Sequence, residues 1–221
     1  MWVLPTYDRP ERAQKTLDSI AQSGCTTPGL VYIDGNQKYP ALHLPKGWSV
    51  WQNELNRGVC AALNDVFARF PNCPWYGFMS DDSLVRTPFW DQRLLAQMDD
   101  YSIVHSADGW RSEERIHGAV VFGGELLRAL QWWVPDGLVH SFCDDVWESI
   151  AHALHLRRYV PEVMVEHCHF GNQKAPVDFS YLKAYQSFDQ DQQAFLKWKE
   201  MDFQAAIERV QKRQNGSPRV S

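Results

Sequence analysis

The opening stretch constrains the fold more than any other feature of this chain. Trp2 to Leu4 is an apolar run closed by Pro5, which reads as a buried strand. Asp8-Arg9-Pro10-Glu11 then carries the marks of a helix start, with Asp as cap and Pro and Glu in the first turn. Ala13, Leu17, Ile20 and Ala21 follow at helical spacing, and Gly24 ends the helix. Leu30 to Ile33 is a second apolar run, ending at Asp34-Gly35-Asn36. Strand, helix, strand in this order points to a parallel sheet in an α/β layer fold.

The rest of the chain keeps the alternation. Strands are expected at Trp48 to Trp51, Trp75 to Met79, Tyr101 to His105, Ile116 to Phe122 and Tyr159 to Val165. Helices are expected from about Gly58 to Phe70, from Pro88 to Met98, from Gly123-Gly124 to about Trp132 and from Asp144 to His155. Phe179 to Arg213 reads as one long amphipathic helix or a helix pair, packing across the domain. The expected organisation is one α/β domain over 1–177, a helical extension over 178–213 and a disordered tail over 214–221.

Composition excludes several classes. Lys and Arg number 22 against 27 Asp and Glu, a net charge of −5, which argues against a protein that grips nucleic acid by charge alone. A hydrophobic fraction of 44% with 22% charged residues excludes global disorder. No stretch approaches the ~18 to 20 apolar residues of a membrane helix, and the first residues lack the basic region of a signal peptide. Five cysteines without a CxxC fit free thiols, so a cytoplasmic location is expected. Ten Trp are many; most are expected to fill the core.

Two segments carry candidate chemistry. Ser80-Asp81-Asp82-Ser83 follows an apolar strand abruptly. Adjacent carboxylates repel unless screened, and a divalent ion carrying a diphosphate would screen them. A solvated Asp-Asp turn is the plainer alternative. Glu166-His167-Cys168-His169 puts two His at i and i+2, which project to one side of a strand. They could join Asp82 at a metal; zinc is a rival, without a second Cys/His cluster at zinc spacing.

Val3-Leu4-Pro5-Thr6-Tyr7-Asp8-Arg9-Pro10, Tyr32-Ile33-Asp34-Gly35-Asn36, Asn56-Arg57-Gly58 and the later Asp81-Asp82, in that order, resemble the GT-A glycosyltransferases, especially those of family 2. The resemblance covers residues 2 to about 170. It implies a GT-A, Rossmann-like, mostly parallel mixed sheet flanked by helices, with the C-terminal helices as an extension. It implies a nucleotide-sugar donor, UDP-sugar on family grounds, and Mn²⁺ or Mg²⁺. On the same basis Pro5, Thr6, Tyr7, Asp8 and Arg9 would lie at the nucleotide edge. Asp34 would bond the base or ribose, Arg57 would sit near base or phosphates, and Asp81 would meet ribose or metal-bound water. Asp82, His167 and His169 would be the metal ligands. Ser80 departs from the pattern, since an acidic residue is common at that position.

Phe142-Cys143-Asp144-Asp145-Val146-Trp147-Glu148 resembles the segment that supplies the general base of inverting members. Asp145 aligns best with the base and Asp144 is the runner-up. Acidic residues also favour helix starts through the macrodipole, so a purely capping role is the alternative. Gly123 and Gly124 resemble the acceptor-side loop, and Trp110, Trp132 and Trp133 are candidates to stack on an acceptor. The acceptor itself is open: a saccharide, a protein or a modified nucleobase. Two other classes stand beside this reading. One is a nucleotidyltransferase-like enzyme, although Thr6-Tyr7-Asp8-Arg9-Pro10 has no Gly for a phosphate loop. The other is a catalytically silent sugar- or nucleotide-binding module.

Overall fold

The computed structural model describes residues 1–111 and 115–216. Its frame is a sheet in the order β3-β2-β1-β4-β7-β6-β8-β5. The strands are β1 (Trp2–Thr6), β2 (Gly29–Asp34), β3 (Trp48–Asn53), β4 (Trp75–Phe78), β5 (Ser83–Val85), β6 (Ile103–Ala107), β7 (Val120–Gly123) and β8 (Arg157–His167). The helices are α1 (Pro10–Gln22), α2 (Val59–Arg69), α3 (Trp90–Leu95), α4 (Gly124–Leu130), α5 (Cys143–Leu154), α6 (Phe179–Gln186), α7 (Phe188–Met201) and α8 (Phe203–Gly216). A short 3₁₀ turn, Phe170–Asn172, lies between β8 and α6.

β1 pairs in parallel with β2 and β4, and β2 with β3, so the expected β-α-β opening forms. β7 runs antiparallel to both β4 and β6, and β8 runs parallel to β6. The sheet is therefore mixed and mostly parallel. Both faces are covered. Trp2 and Leu4 pack with Leu17, Ile20 and Trp90 on one side, while Val3 packs with Leu63, Tyr76 and Phe122 on the other. That alternation is the period of two of a strand, and burial on both faces explains why β1 is apolar throughout. Six of the ten Trp are buried, as a core-filling role requires.

The C-terminal stretch divides into three helices rather than one or two. Ser187 and Asp202 form the breaks. Asp191 on α7 is fully buried and explains how this layer attaches. Its carboxylate accepts from the backbone N–H groups of Val139, His140 and Ser141 at 2.7, 3.0 and 2.8 Å. The loop before α5 is thereby clamped to the C-terminal layer. Helix α8 continues through Gly216, so 214–216 are helical, and the rest of the expected tail lies outside the described residues.

Candidate active site

β1, β2, β4, β6 and β8 all run the same way, so their C-terminal ends share one edge. Ligands bind at this edge in open α/β sheets. A cavity of about 910 Å³ opens there. It is lined by Pro5 and Thr6 at the end of β1 with Tyr7 and Arg9 beyond it, by Asp34 at the end of β2, and by Asp81 and Asp82 after β4. Trp110, Asp144, Asp145, His167 and His169 line it too.

β5 brings the acidic pair to the histidines. Its antiparallel ladder sets Ser83 opposite His167, and the Cys168 N–H donates to the Asp82 carbonyl at 2.8 Å. His167 Nε2 then lies 3.2 Å from Asp82 Oδ1. Asp82 Oδ2 accepts from the Tyr181 hydroxyl at 2.7 Å. Asp81 Oδ2 accepts from Thr6 at 2.7 Å and Oδ1 from Arg9 at 3.1 Å. Arg9 also donates to Asp178, through Nε at 2.9 Å and Nη2 at 2.7 Å.

The two carboxylates sit in different fields. Burial pushes Asp81 up, to about 6, against the pull of Arg9 and with a further push from Asp82. Burial also pushes Asp82 up, but His167 and Tyr181 outweigh it and hold Asp82 well below the usual range. A carboxylate that stays ionised is what a cation or a cationic substrate group needs.

The donor set fits a divalent ion. Asp82 Oδ1 is buried without a conventional hydrogen bond and faces the imidazole nitrogen of His167. Two ligands at right angles around an ion with bonds of ~2.1 Å sit about 3 Å apart, close to the separation observed here. Among the described residues no cluster of three His, Cys, Asp or Glu could hold a metal, so diphosphate and water would fill the other positions. His169 stands apart: its Nδ1 accepts from the Gly171 N–H at 3.0 Å and its ring stacks on Trp110, 5.3 Å between centroids. Burial lowers His169 to about 4, so its ring is neutral.

Asp34 is buried, and its carboxylate accepts from the Asn56 side chain at 2.9 Å and the Gly58 N–H at 2.7 Å, with the Arg57 N–H at 3.1 Å. It thus fixes the turn that starts α2. Gly58 has φ of 91°, and a Cβ there would meet the Val139 carbonyl at 2.3 Å, so only glycine lets that turn approach the loop before α5. Arg57 points away to an ion pair with Asp65, and Asp8 is exposed; neither lines the cavity. Asp145 accepts from Arg115 at 2.8 Å, and Arg115 also meets Glu148 at 3.2 Å. Asp144 lies 3.3 Å from Arg111.

The expected acceptor-side group is divided. Trp110 lines the cavity and is exposed, but Gly123, Gly124, Trp132 and Trp133 do not line it. The two glycines are buried because backbones press on them: a Cβ would meet the Asp100 carbonyl at 2.2 Å from Gly123 and the Cys73 carbonyl at 2.3 Å from Gly124. Trp133 is buried against Tyr76 and Phe122. Trp132 packs edge-on against Trp198. Tyr181 and Lys183 line the cavity without any sign in the sequence, and Asp178, on the loop before α6, reaches the site through Arg9. Asp178 had a legible signal, as an Asp immediately before an apolar helix; its side chain accepts from the Tyr181 N–H.

No protein-family profile matches the chain, and no curated protein matches it. Solved structures do. Staphylococcus aureus TarS superposes with a TM-score of 0.58 at 12% identity, over 76% of this chain and 36% of TarS. GalNAc-T7 with UDP, GalNAc and Mn²⁺ gives 0.60 at 10% identity, over 96% of this chain and 54% of that one. Glucosyl-3-phosphoglycerate synthase of Mycobacterium tuberculosis, with Mn²⁺, UDP and its product, gives 0.57 at 13% identity, over 99% and 80%. The chain thus spans about a third of that TarS chain. The fold is the GT-A, Rossmann-like fold of glycosyltransferases. No helix among the described residues is long and apolar enough to cross a membrane.

Proposed function

We propose that this chain is a glycosyltransferase that moves a sugar from a UDP-sugar to a hydroxyl acceptor with inversion. The observation that carries the reading is the convergence of Asp81, Asp82, His167 and Asp145 on one cavity at the ligand edge of a GT-A sheet. Solved structures of two similar proteins hold UDP with Mn²⁺.

In this reading Thr6, Tyr7 and Arg9 line the nucleotide end, with Arg9 drawn toward the diphosphate. Asp82 and His167 would hold a divalent cation, Mn²⁺ or Mg²⁺, which would neutralise charge on the departing diphosphate. Asp145 takes the proton from the acceptor hydroxyl as its oxygen attacks the anomeric carbon. Arg115 fixes the orientation of Asp145. Asp144, one position earlier and 3.3 Å from Arg111, is the runner-up. Asp34 acts on the donor through the turn it fixes.

Thermal shift with UDP-, GDP-, CMP- and dTDP-sugars, with and without Mn²⁺, tests this. A UDP-sugar should raise Tm only with Mn²⁺, and Asp82→Asn should remove the response. Indifference to every nucleotide-sugar would overturn the reading.

A further inference from the structure

We propose that Tyr185, Phe188 and Phe142 form a platform for the pyranose rings of an uncharged oligosaccharide acceptor. The inference deepens the glycosyltransferase reading and rests on it for the direction of transfer. The C-terminal helices do more than pack across the domain: α6 and the start of α7 form one wall of the candidate-site cavity. Tyr185 is 72% exposed and Phe188 41% exposed, and both line that cavity. Their rings are nearly parallel, 6.3 Å between centroids at 23°. Phe188 continues to Phe142 at 5.2 Å. Phe142 is the residue that opens α5, just ahead of Asp144 and Asp145. A row of rings, the last tilted by 47°, therefore links α6 and α7 to the start of α5, which carries the candidate base.

Phe142 stacks on Phe195 at 5.5 Å on the core side and lines the cavity as well. It holds a left-handed backbone, φ 66°, at a helix N-cap, and its side chain caps nothing. Ser, Thr, Asp or Asn would serve that helix better.

The chemistry of the wall selects the occupant. Between Ala184 and Gln190 the lining side chains are Tyr185, Gln186, Ser187, Phe188 and Gln190, with no charge among them. None of the cavity's Lys and Arg residues, Arg9, Arg111, Arg115 and Lys183, lies on that stretch, and the last three are paired with Asp144, with Asp145 and Glu148, and with Asn56 in turn. A nucleic acid acceptor needs Lys or Arg for its phosphates, and the stretch from Ala184 to Gln190 offers none. A pyranose presents a face of C–H groups, which suits the negative face of an aromatic ring, and hydroxyls at its rim, which suit amides and a hydroxyl. Aromatic planes interleaved with neutral hydrogen-bonding groups match an uncharged sugar chain.

The test is binding of the intact protein to an array of neutral oligosaccharides of three or more sugars, followed by calorimetry on the hits. Calorimetry with UDP and Mn²⁺ is run in parallel, as are a single-stranded oligonucleotide and vesicles of neutral phospholipid. Tyr185→Ala and Phe188→Ala should each weaken oligosaccharide binding at least tenfold and leave UDP affinity within twofold. Phe188→Tyr, which keeps the ring, should retain binding and controls for folding. Failure of every neutral oligosaccharide to bind, or alanine variants that bind as well as wild type, overturns the platform even where UDP binds normally. Oligonucleotide or vesicle binding that is lost in the same variants also overturns it. UDP indifference with ring-dependent saccharide binding leaves the platform standing and sinks the donor assignment instead.

Discussion

The Tyr181 hydroxyl donates to Asp82 Oδ2 at 2.7 Å, tying residues 99 positions apart. One helix of the C-terminal layer is thereby fastened to the acidic pair at the centre of the cavity. Arg9 reinforces the link, 4.0 Å over the Tyr181 ring and forked onto Asp178. The lower face of α6 thus completes the polar site while its upper face stays exposed.

Removing that hydroxyl isolates one buried bond to a charged group. Tyr181→Phe should cost about 1.5 to 3 kcal/mol in urea denaturation. The ring stays under Arg9, so the cation–π contact survives and the loss belongs to the hydroxyl. A change below ~0.5 kcal/mol would show that the bond is not made in solution.

The second prediction concerns acid. His105 is fully buried, with neither ring nitrogen in a conventional hydrogen bond, and burial lowers it to about 4. The native ring is then neutral where the unfolded ring, near 6.5, takes up a proton. Stability from this group is full above about pH 6.5 and is lost as pH falls toward 4, by at most about 3 kcal/mol. Asp81, raised to about 6, acts the opposite way over a similar window. The comparison that isolates His105 is therefore with His105→Phe, which cannot titrate. The variant should lose less stability than wild type between pH 7 and pH 5. Equal losses would show that His105 does not drive the acid response.

The clamp at Asp191 makes the third. Asp191→Ala leaves the N–H groups of Val139, His140 and Ser141 without their acceptor. The expected loss is 3 kcal/mol or more, on the order of two to three bonds to a charged acceptor. Asp191→Asn keeps one acceptor oxygen and should fall between. Proteolysis near residues 139–141 should accelerate in the alanine variant, and an unchanged cleavage pattern would argue against the clamp.

Which parts were legible in the residues follows from range. β1, α1 and β2 were readable because apolar spacing and a Pro-containing helix start are local signals. The acidic pair was readable because an apolar strand stops abruptly at Ser80. β5 was not: three residues carry no period, yet that ladder is what sets Asp82 beside His167. Asp191 and Tyr181 looked like ordinary members of amphipathic helices, since nothing local shows that they reach residues 50 and 99 positions away. Trp132 and Trp133 carry no local sign that they stay out of the cavity. Helix α4 ends in a left-handed Gln131, φ 69°, and the turn that follows buries Trp133 in the core. Trp147 caps it by donating to the Trp133 carbonyl at 3.0 Å.

The last prediction separates a base from a cap. If Asp145 deprotonates the acceptor, Asp145→Asn should keep the fold and the UDP affinity and lose turnover by ~10²- to 10⁴-fold. The substitution is nearly isosteric. It removes a favourable charge from the first turn of α5, worth about 0.3 to 1 kcal/mol, and weakens the half-exposed pair with Arg115, worth about as little. A capping Asp would show the opposite pattern, a lower Tm with near-normal turnover. The neighbour sharpens the test, because Asp144 is held 3.3 Å from Arg111 and lies one position earlier on the same turn. A dead Asp144→Asn beside an active Asp145→Asn would move the base by one residue. Activity in both would remove the inverting mechanism drawn here, because no carboxylate of the α5 start would then take the proton.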